Sequence, residues 1–194
     1  MKIAIIGAGI SAITIAQNLK DIANISLFEK SRGVGGRMAV RRSGPYEFDH
    51  GAQFFTAKGE NFKNFIAPLI KKNVIQQWDA RFAEFKNNKI LRRVTWGSEY
   101  PHYVGAPGMN EIPKYLSKEL NIKLNVKVNK IIRNTANGWE LFDDDLNNLG
   151  QYDWVISTAP AIQSAEILPE CFKHRNNLLD KKMVGCFSLM LGFT

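Results

Sequence analysis

The sequence predicts an α/β fold in which a parallel sheet is interrupted by an inserted mixed or antiparallel β-sheet domain. Three observations predict it. The apolar run Ile3-Ala4-Ile5-Ile6 leads straight into Gly7-Ala8-Gly9-Ile10-Ser11-Ala12. A second β-like run, Ile25-Ser26-Leu27-Phe28, ends on the acid Glu29. From residue 59 onward the apolar period becomes helical and then changes to that of a hairpin.

The first run reads as a strand buried on both faces, because it has no polar alternation. The chain must then turn sharply into a helix that begins near Ile10. Gly7 permits the tight turn, and Gly9, with no side chain, lets a pyrophosphate approach the backbone. Ala12 stands where a third glycine is commoner, and its methyl still allows close helix–strand packing. The helix N-terminus offers free N–H groups and a partial positive charge to phosphates. Glu29 stands 20 residues past Gly9, where a ribose-binding acid belongs. An acid there favours a free ribose diol over a 2′-phosphate. Strand, turn, helix and acid together define a Rossmann-like dinucleotide site. A signal peptide would also begin with a base before an apolar stretch. Here Ser11, Thr14, Gln17 and Asn18 interrupt the stretch and no small-residue cleavage site follows, so strand–turn–helix is the reading.

The stretch Lys30-Ser31-Arg32-Gly33-Val34-Gly35-Gly36-Arg37-Met38 is too rich in glycine for a helix. Adjacent glycines let backbone N–H groups converge on an anion, and Arg32 and Arg37 can donate bidentate bonds to phosphate oxygens. A solvated basic loop is the plainer alternative. The position just past the ribose acid argues for the phosphate site.

Further along, residues 59–72 are predicted helical, with Phe62, Phe65, Ile66, Leu69 and Ile70 on one inward face. Residues 74–96 read as hairpin material turning at Asn87-Asn88, with Trp78, Phe82, Phe85 and Trp96 nearby. Residues 109–120 are predicted to form a helix with Met109, Ile112, Leu116 and Leu120 inward. Leu124, Val126 and Val128 alternate as one strand, and Asn137-Gly138 is a hairpin turn into Trp139-Glu140-Leu141. Asp143-Asp144-Asp145 lacks the glycine and distal glutamate of a calcium loop and reads as a solvated turn.

The segment from Glu29 to Met38 resembles the dinucleotide-binding region of the FAD-dependent amine oxidase superfamily, and most nearly its renalase-like branch. Three further segments carry the resemblance: Phe48-Asp49-His50-Gly51-Ala52-Gln53-Phe54-Phe55-Thr56, Tyr103-Val104-Gly105-Ala106-Pro107-Gly108-Met109-Asn110 and Tyr152-Asp153-Trp154-Val155-Ile156-Ser157-Thr158-Ala159-Pro160-Ala161. The resemblance implies FAD as cofactor. It also implies an FAD-binding domain in two parts, residues 1–57 and 121–165, with a substrate domain in 58–120 resuming at 166–194. Family members are considerably longer and close with a Gly-Asp segment at the flavin. The resemblance therefore implies a chain incomplete at its C-terminus, with Cys186-Phe187-Ser188-Leu189-Met190-Leu191 a buried strand cut off from later neighbours.

The resemblance also ranks the residues. Gly7, Gly9, Ala12, Glu29, Gly35, Gly36 and Arg37 lead as cofactor ligands, with Ser11, Lys30, Arg32 and Met38 beside them in the same two motifs. Val128, with Val126 as competitor, is placed against adenine. Gln53 and Phe54 are placed near the isoalloxazine, and Thr158 and Ala159 near the cofactor. A flavin carries the hydride chemistry itself, so no nucleophile–base pair is required and no catalytic residue is assigned. His50 is open between flavin tuning or substrate binding and a packed turn. His102 could face a substrate pocket but is expected at the surface, and His174 is expected to be structural. There is no Cys/His metal spacing, and no metal is expected.

The implied activity is that of an FAD-dependent oxidoreductase: an amine or a dihydronicotinamide-type substrate passes a hydride to flavin N5, and O2 reoxidises the flavin to give H2O2. Two alternatives stay open, a non-catalytic dinucleotide-binding remnant and an NAD-dependent dehydrogenase. The second shares the first glycine motif but not Gly35-Gly36-Arg37.

Composition is that of an ordinary folded protein, with 45% hydrophobic residues, enough for a core. No run approaches the roughly 18 apolar residues of a membrane span, and no membrane partner is expected. The two cysteines, Cys171 and Cys186, form no C-x-x-C and sit among apolar residues, so both are expected to be buried thiols. The cytoplasm is the expected compartment. The formal charge of +8 gathers at Arg37–Arg42, Lys86–Arg93 and Lys114–Arg133. With no nucleic-acid-binding motif, these clusters read as solvated faces that steer an anionic cofactor or substrate, not as a nucleic-acid surface.

Overall fold

The computed structural model describes residues 1–96, 101–134 and 138–193. In chain order the elements are β1 (Lys2–Ile6), α1 (Ile10–Leu19), β2 (Asn24–Glu29), β3 (Val40–Ser43), β4 (Tyr46–Asp49), β5 (Phe55–Thr56), α2 (Glu60–Lys71), β6 (Ile75–Gln77), β7 (Arg81–Lys86), β8 (Lys89–Thr95) and β9 (His102–Gly105). They continue with α3 (Glu111–Leu116), β10 (Ile122–Leu124), β11 (Val128–Arg133), β12 (Trp139–Asp143), β13 (Asn148–Tyr152), β14 (Trp154–Ser157), α4 (Ala161–Ile167) and α5 (Arg175–Leu179). The chain forms two compact units. One holds Met1–Arg37 with Leu116–Ser188, the other Met38–Tyr115 with Leu189–Thr194.

The first unit is built on a parallel sheet in the order β10-β2-β1-β14. β1 lies between two parallel neighbours, Ile5 opposite Leu27 on β2 and Ile156 on β14. Both its faces are covered. Ile3 and Ile5 pack with Ala12 and Ala16 of α1. Ala4 and Ile6 pack with Val128, Ile131, Leu141 and Tyr152 of the antiparallel sheet β11-β12-β13. Double burial explains the unbroken apolar run. Phe28 and Tyr152 meet edge to face in the second of these cores, ring centroids 5.9 Å apart.

The second unit contains the three-stranded sheet β5-β9-β6 and the hairpins β3-β4 and β7-β8. The helix predicted over 59–72 is α2, whose Ile66 and Leu69 are buried; Phe62 and Phe65 are exposed, so its inward face is narrower than the periodicity suggests. The hairpin turns at Asn87-Asn88, both at positive φ.

Four expectations need correction. The helix predicted over 109–120 stops at Leu116. The Leu116 carbonyl accepts the Gln17 side-chain amide, and Leu120 N–H turns back to Ser117. The strand predicted through Leu124, Val126 and Val128 is two strands. Asn125, at φ 56°, breaks them apart, and its N–H and that of Val126 bond to the carbonyls of Ser31 and Glu29. Cys171 and Cys186 are exposed, not buried. The segment Cys186–Leu191 forms no strand, and Phe187 and Leu189 are exposed.

The turn predicted at Asn137-Gly138 lies partly outside the described residues. Asp143-Asp144-Asp145 is a turn whose own backbone occupies the first carboxylate: Asp143 accepts the N–H groups of Asp145 and Asn147. The Asn147 side-chain amide is the main reason that carboxyl is held below the usual range. Among the described residues, no helix is long and apolar enough to cross a membrane.

The packing yields a stability prediction. Leu141→Ala, at a fully buried position between the two sheets, is expected to cost about 2–5 kcal/mol. Ile22→Ala, at an exposed site, is expected to stay within about 0.5 kcal/mol. Chemical denaturation of both variants checks the contrast.

Candidate cofactor-binding site

The two glycines of the first turn have different jobs. Gly7 stands at φ 100°, and its N–H donates to the Phe28 carbonyl at 2.8 Å. A Cβ on Gly7 would lie 2.7 Å from Thr158 Oγ1. That hydroxyl is itself fixed, since Thr158 donates both its N–H and its O–H to the Ile6 carbonyl at 2.9 Å. Gly7 is therefore demanded by the fold. At Gly9, φ is −74° and a Cβ would meet nothing within 4 Å. The space beside it is open.

Gly9 also caps α1, with no side chain bonded to the helix end and no acid in the first turn. The first intrahelical bond runs from Ile13 N–H to the Gly9 carbonyl. The N–H groups of Ile10, Ser11 and Ala12 thus have no intrahelical acceptor, and the helix dipole adds a partial positive charge. Ser11 is exposed at this end, whereas Ala12 is completely buried against β1 and β2. A methyl fills the room that glycine leaves in the common motif.

The second glycine loop lies on the first. Gly35 N–H donates to the Ala8 carbonyl at 2.8 Å, and Gly9 and Gly35 form a parallel bridge. A Cβ on Gly36, at φ 54°, would stand 3.4 Å from Gly9 Cα. Gly7, Gly9, Gly35 and Gly36 therefore share one patch of bare backbone. Arg32 and Arg37 are exposed beside it in sequence. Lys30 points elsewhere, its Nζ 3.1 Å from Gln163 Oε1.

Glu29 joins the two loops. The residue is 8% exposed; its Oε2 accepts Ala8 N–H and its Oε1 accepts Ser31 N–H, both at 2.8 Å. The spacing of the motif pointed to this acid but not to its backbone clamp, because the middle residue of a Gly-x-Gly contributes only an N–H. Val126 hangs from the Glu29 carbonyl, while Val128 is buried in the ladder opposite Asp143. Thr158 and Ala159 close the same unit beside Gly7. A bare cradle at a helix N-terminus, flanked by a fixed carboxylate, suits a dinucleotide's pyrophosphate and ribose.

The remaining candidates, Met38, Gln53 and Phe54, belong to the second unit. Gln53 is exposed, and Phe54 stands in a group of aromatic rings. His102, expected at the surface, is half-buried and stacked flat on Trp96, centroids 3.7 Å apart. In this unit Asp49 Oδ1 accepts Met109 N–H at 2.9 Å, and Gly105 N–H meets Met109 Sδ at 3.1 Å. Asp49 thus ties β4 to the Gly-x-Pro-Gly-Met loop. Burial pushes its carboxyl above the usual range, while the Met109 bond and the neighbouring His50 pull it down.

The fold is that of an FAD-binding α/β oxidoreductase. Residues 5–69 match the NAD(P)-binding Rossmann-like domain, and residues 76–193 match the flavin containing amine oxidoreductase family. The second match covers more than half of the chain, which belongs to that family, and its cofactor is FAD. Among curated proteins, the chain is 34% identical to a 4,4′-diapophytoene desaturase of Staphylococcus aureus strain Newman over 77 residues, covering 34% of this chain and 15% of the desaturase. Two solved structures share the fold. A protein of Exiguobacterium sp. 255-15 assigned as a protoporphyrinogen oxidase matches at TM-score 0.70 and 12% identity, over 92% of this chain and 63% of that one. A Photorhabdus luminescens protein assigned as an FAD-containing monooxygenase matches at 0.54 and 16%, over 84% and 40%. The chain thus spans less than two thirds of these relatives' lengths.

The two glycines separate by experiment. Gly7→Ala is expected to lose about 1–3 kcal/mol of stability from strain alone. Gly9→Ala is expected to lose less than about 1 kcal/mol. It should nevertheless weaken flavin retention by at least about tenfold, equivalent to about 1.4 kcal/mol. Thermal melts and FAD titration of both variants check this.

Asp49 sets a pH dependence. Its raised native pKa means that the folded state holds the proton more tightly than the unfolded chain, so this carboxyl's contribution to stability falls as pH rises from the ordinary carboxylate range through the raised native value. Asp49→Asn keeps an acceptor for Met109 and removes the charge, so melts of that variant should lose this slope. Asp49→Ala, lacking the acceptor, should be less stable by about 1 kcal/mol.

Proposed function

We propose that this chain is the FAD-holding part of an oxidoreductase that takes two electrons, as a hydride, from a small-molecule substrate. The observation that carries the reading is the bridge between Gly9 and Gly35, which sets two glycine loops side by side over an uncapped helix end. A bound flavin supplies hydride acceptance at N5 and return of the electrons to O2. In this reading the N–H groups of Ile10, Ser11 and Ala12, together with that of Gly36, hold the pyrophosphate, and Gly35, whose N–H is bonded to the Ala8 carbonyl, holds the second loop against the first. Arg32 and Arg37 neutralise it. Glu29 has a second lone pair on each oxygen and accepts the ribose hydroxyls while still clamping Ala8 and Ser31. Val126 or Val128 offers its backbone to adenine, Thr158 and Ala159 line the approach to the flavin, and Gln53 and Phe54 are the residues that the family resemblance assigns to the isoalloxazine ring. The substrate is an amine or a dihydronicotinamide-type compound, as in the renalase-like branch that the sequence resembles.

An absorbance spectrum of the purified chain, taken before and after FAD addition and desalting, is the test. Flavin bands that stay with the protein, followed by bleaching with an amine or a dihydronicotinamide and by peroxide release in air, are the expected outcome. NADH retention without flavin retention would move the reading to a dehydrogenase. Retained flavin that no candidate substrate reduces would leave a non-catalytic binding protein.

A further inference from the structure

The β5-β9-β6 sheet of the second unit has two unlike faces. Phe55 opposite Tyr103 and Ile75 opposite Gly105 turn one face towards α2, where Phe55 meets Phe62 with centroids 5.8 Å apart. Alternation along the strands sends Thr56, His102 and Val104 to the other face. Phe54, Trp78, Trp96 and His102 gather there, with Phe54 4.8 Å from Trp96 and 5.3 Å from His102, and Trp78 5.3 Å from Trp96.

These rings are only partly used by their own packing. Phe54 is 40% exposed and Trp78 42%. His102 Nδ1 is buried with no hydrogen-bond partner among the described residues, and the imidazole stacks on Trp96 within 8° of parallel. Half-exposed aromatic faces take either a cation or another flat ring. The neighbouring charge chooses between them. At the root of the β7-β8 hairpin Arg81 and Arg93 stand against Asp79, a local balance of +1, since Arg92 is paired with Glu84 at 2.7 Å and Lys86 and Lys89 lie opposite each other at the far turn. Phe82 of that hairpin touches Trp96, with ring centroids 5.5 Å apart. That places the ring group at the root of the basic hairpin, whose field repels a cation and attracts an anion at short range.

We propose that this face binds a flat conjugated ring bearing an anionic group, carboxylate or phosphate. The ring stacks on Phe54 and Trp78, and the basic hairpin attracts the anion. The proposal deepens the oxidoreductase reading, since it rests on the second unit being the half that receives substrate. It narrows the substrate class to flat anions and away from simple cationic amines.

The test is calorimetric titration of the whole chain, with and without saturating FAD, using four small probes that separate ring from charge. These are 2-naphthoate, 2-naphthyl phosphate, 2-naphthylmethylamine and cyclohexanecarboxylate. Either naphthyl anion is expected to bind at least about tenfold tighter than both the naphthyl cation and the saturated anion. Phe54→Leu and Trp78→Leu, each at a half-exposed ring, should each weaken the anion by about three- to tenfold, within the range of one stacking contact. The tighter of the two naphthyl anions identifies the charged group. An amine that binds as well as the anions would overturn the proposal, as would naphthoate binding that survives both substitutions in folded protein. Naphthyl-anion binding without flavin retention would sink the cofactor reading alone, and retained flavin without probe binding would sink this proposal alone.

Discussion

The buried Glu29 carboxylate is the constraint on which the candidate site depends. It lies at the end of β2, pressed between the two glycine loops, and each of its oxygens accepts one backbone N–H. A buried charge is tolerated only with such partners. Through Ala8 it sets the first loop, and through Ser31 it sets the start of the second. Gly35 then returns a bond to Ala8. Removing the acid would leave the Ala8 and Ser31 N–H groups without their acceptor.

Around this clamp the parallel sheet works as a fixed base. β1 is covered on one face by α1 and on the other by the β11-β12-β13 sheet. Its C-terminal end therefore cannot move away from Thr158 on the neighbouring β14 turn, whose hydroxyl fills the place where a side chain on Gly7 would go. At Gly9 a side chain would meet nothing within 4 Å, so the backbone there faces open space. In the second unit Asp49 has a comparable role, spanning from β4 to Met109 and holding a loop that no secondary structure stiffens.

The division of charge follows the same logic. The first turn of α1 contains no acid, and the exposed Arg32 and Arg37 follow Glu29 within a few residues. The basic hairpin of the second unit stands beside a ring-lined face that its charge makes hospitable to anions. A net charge of +8 thus has local uses, although most ion pairs here are exposed and contribute little to stability.

The amino-acid sequence by itself determined the strand–turn–helix opening, the placing of Glu29 at the end of β2, α2 and the hairpin at Asn87-Asn88. Each rests on local physics: apolar period, glycine's freedom at positive φ, and turn preference. Tertiary structure alone decided what long-range partners control. Gln17 captured the Leu116 carbonyl and ended α3 early. Asn125 split one apparent strand into two because its neighbours bond back to the loop after β2. Cys186–Leu191 is exposed and forms no strand, because an apolar run alone does not fix ladder pairing. His102 left the surface because Trp96 offered it a face, and Glu29 became a clamp because folding brought the distant Ala8 N–H to one oxygen while the nearby Ser31 N–H took the other.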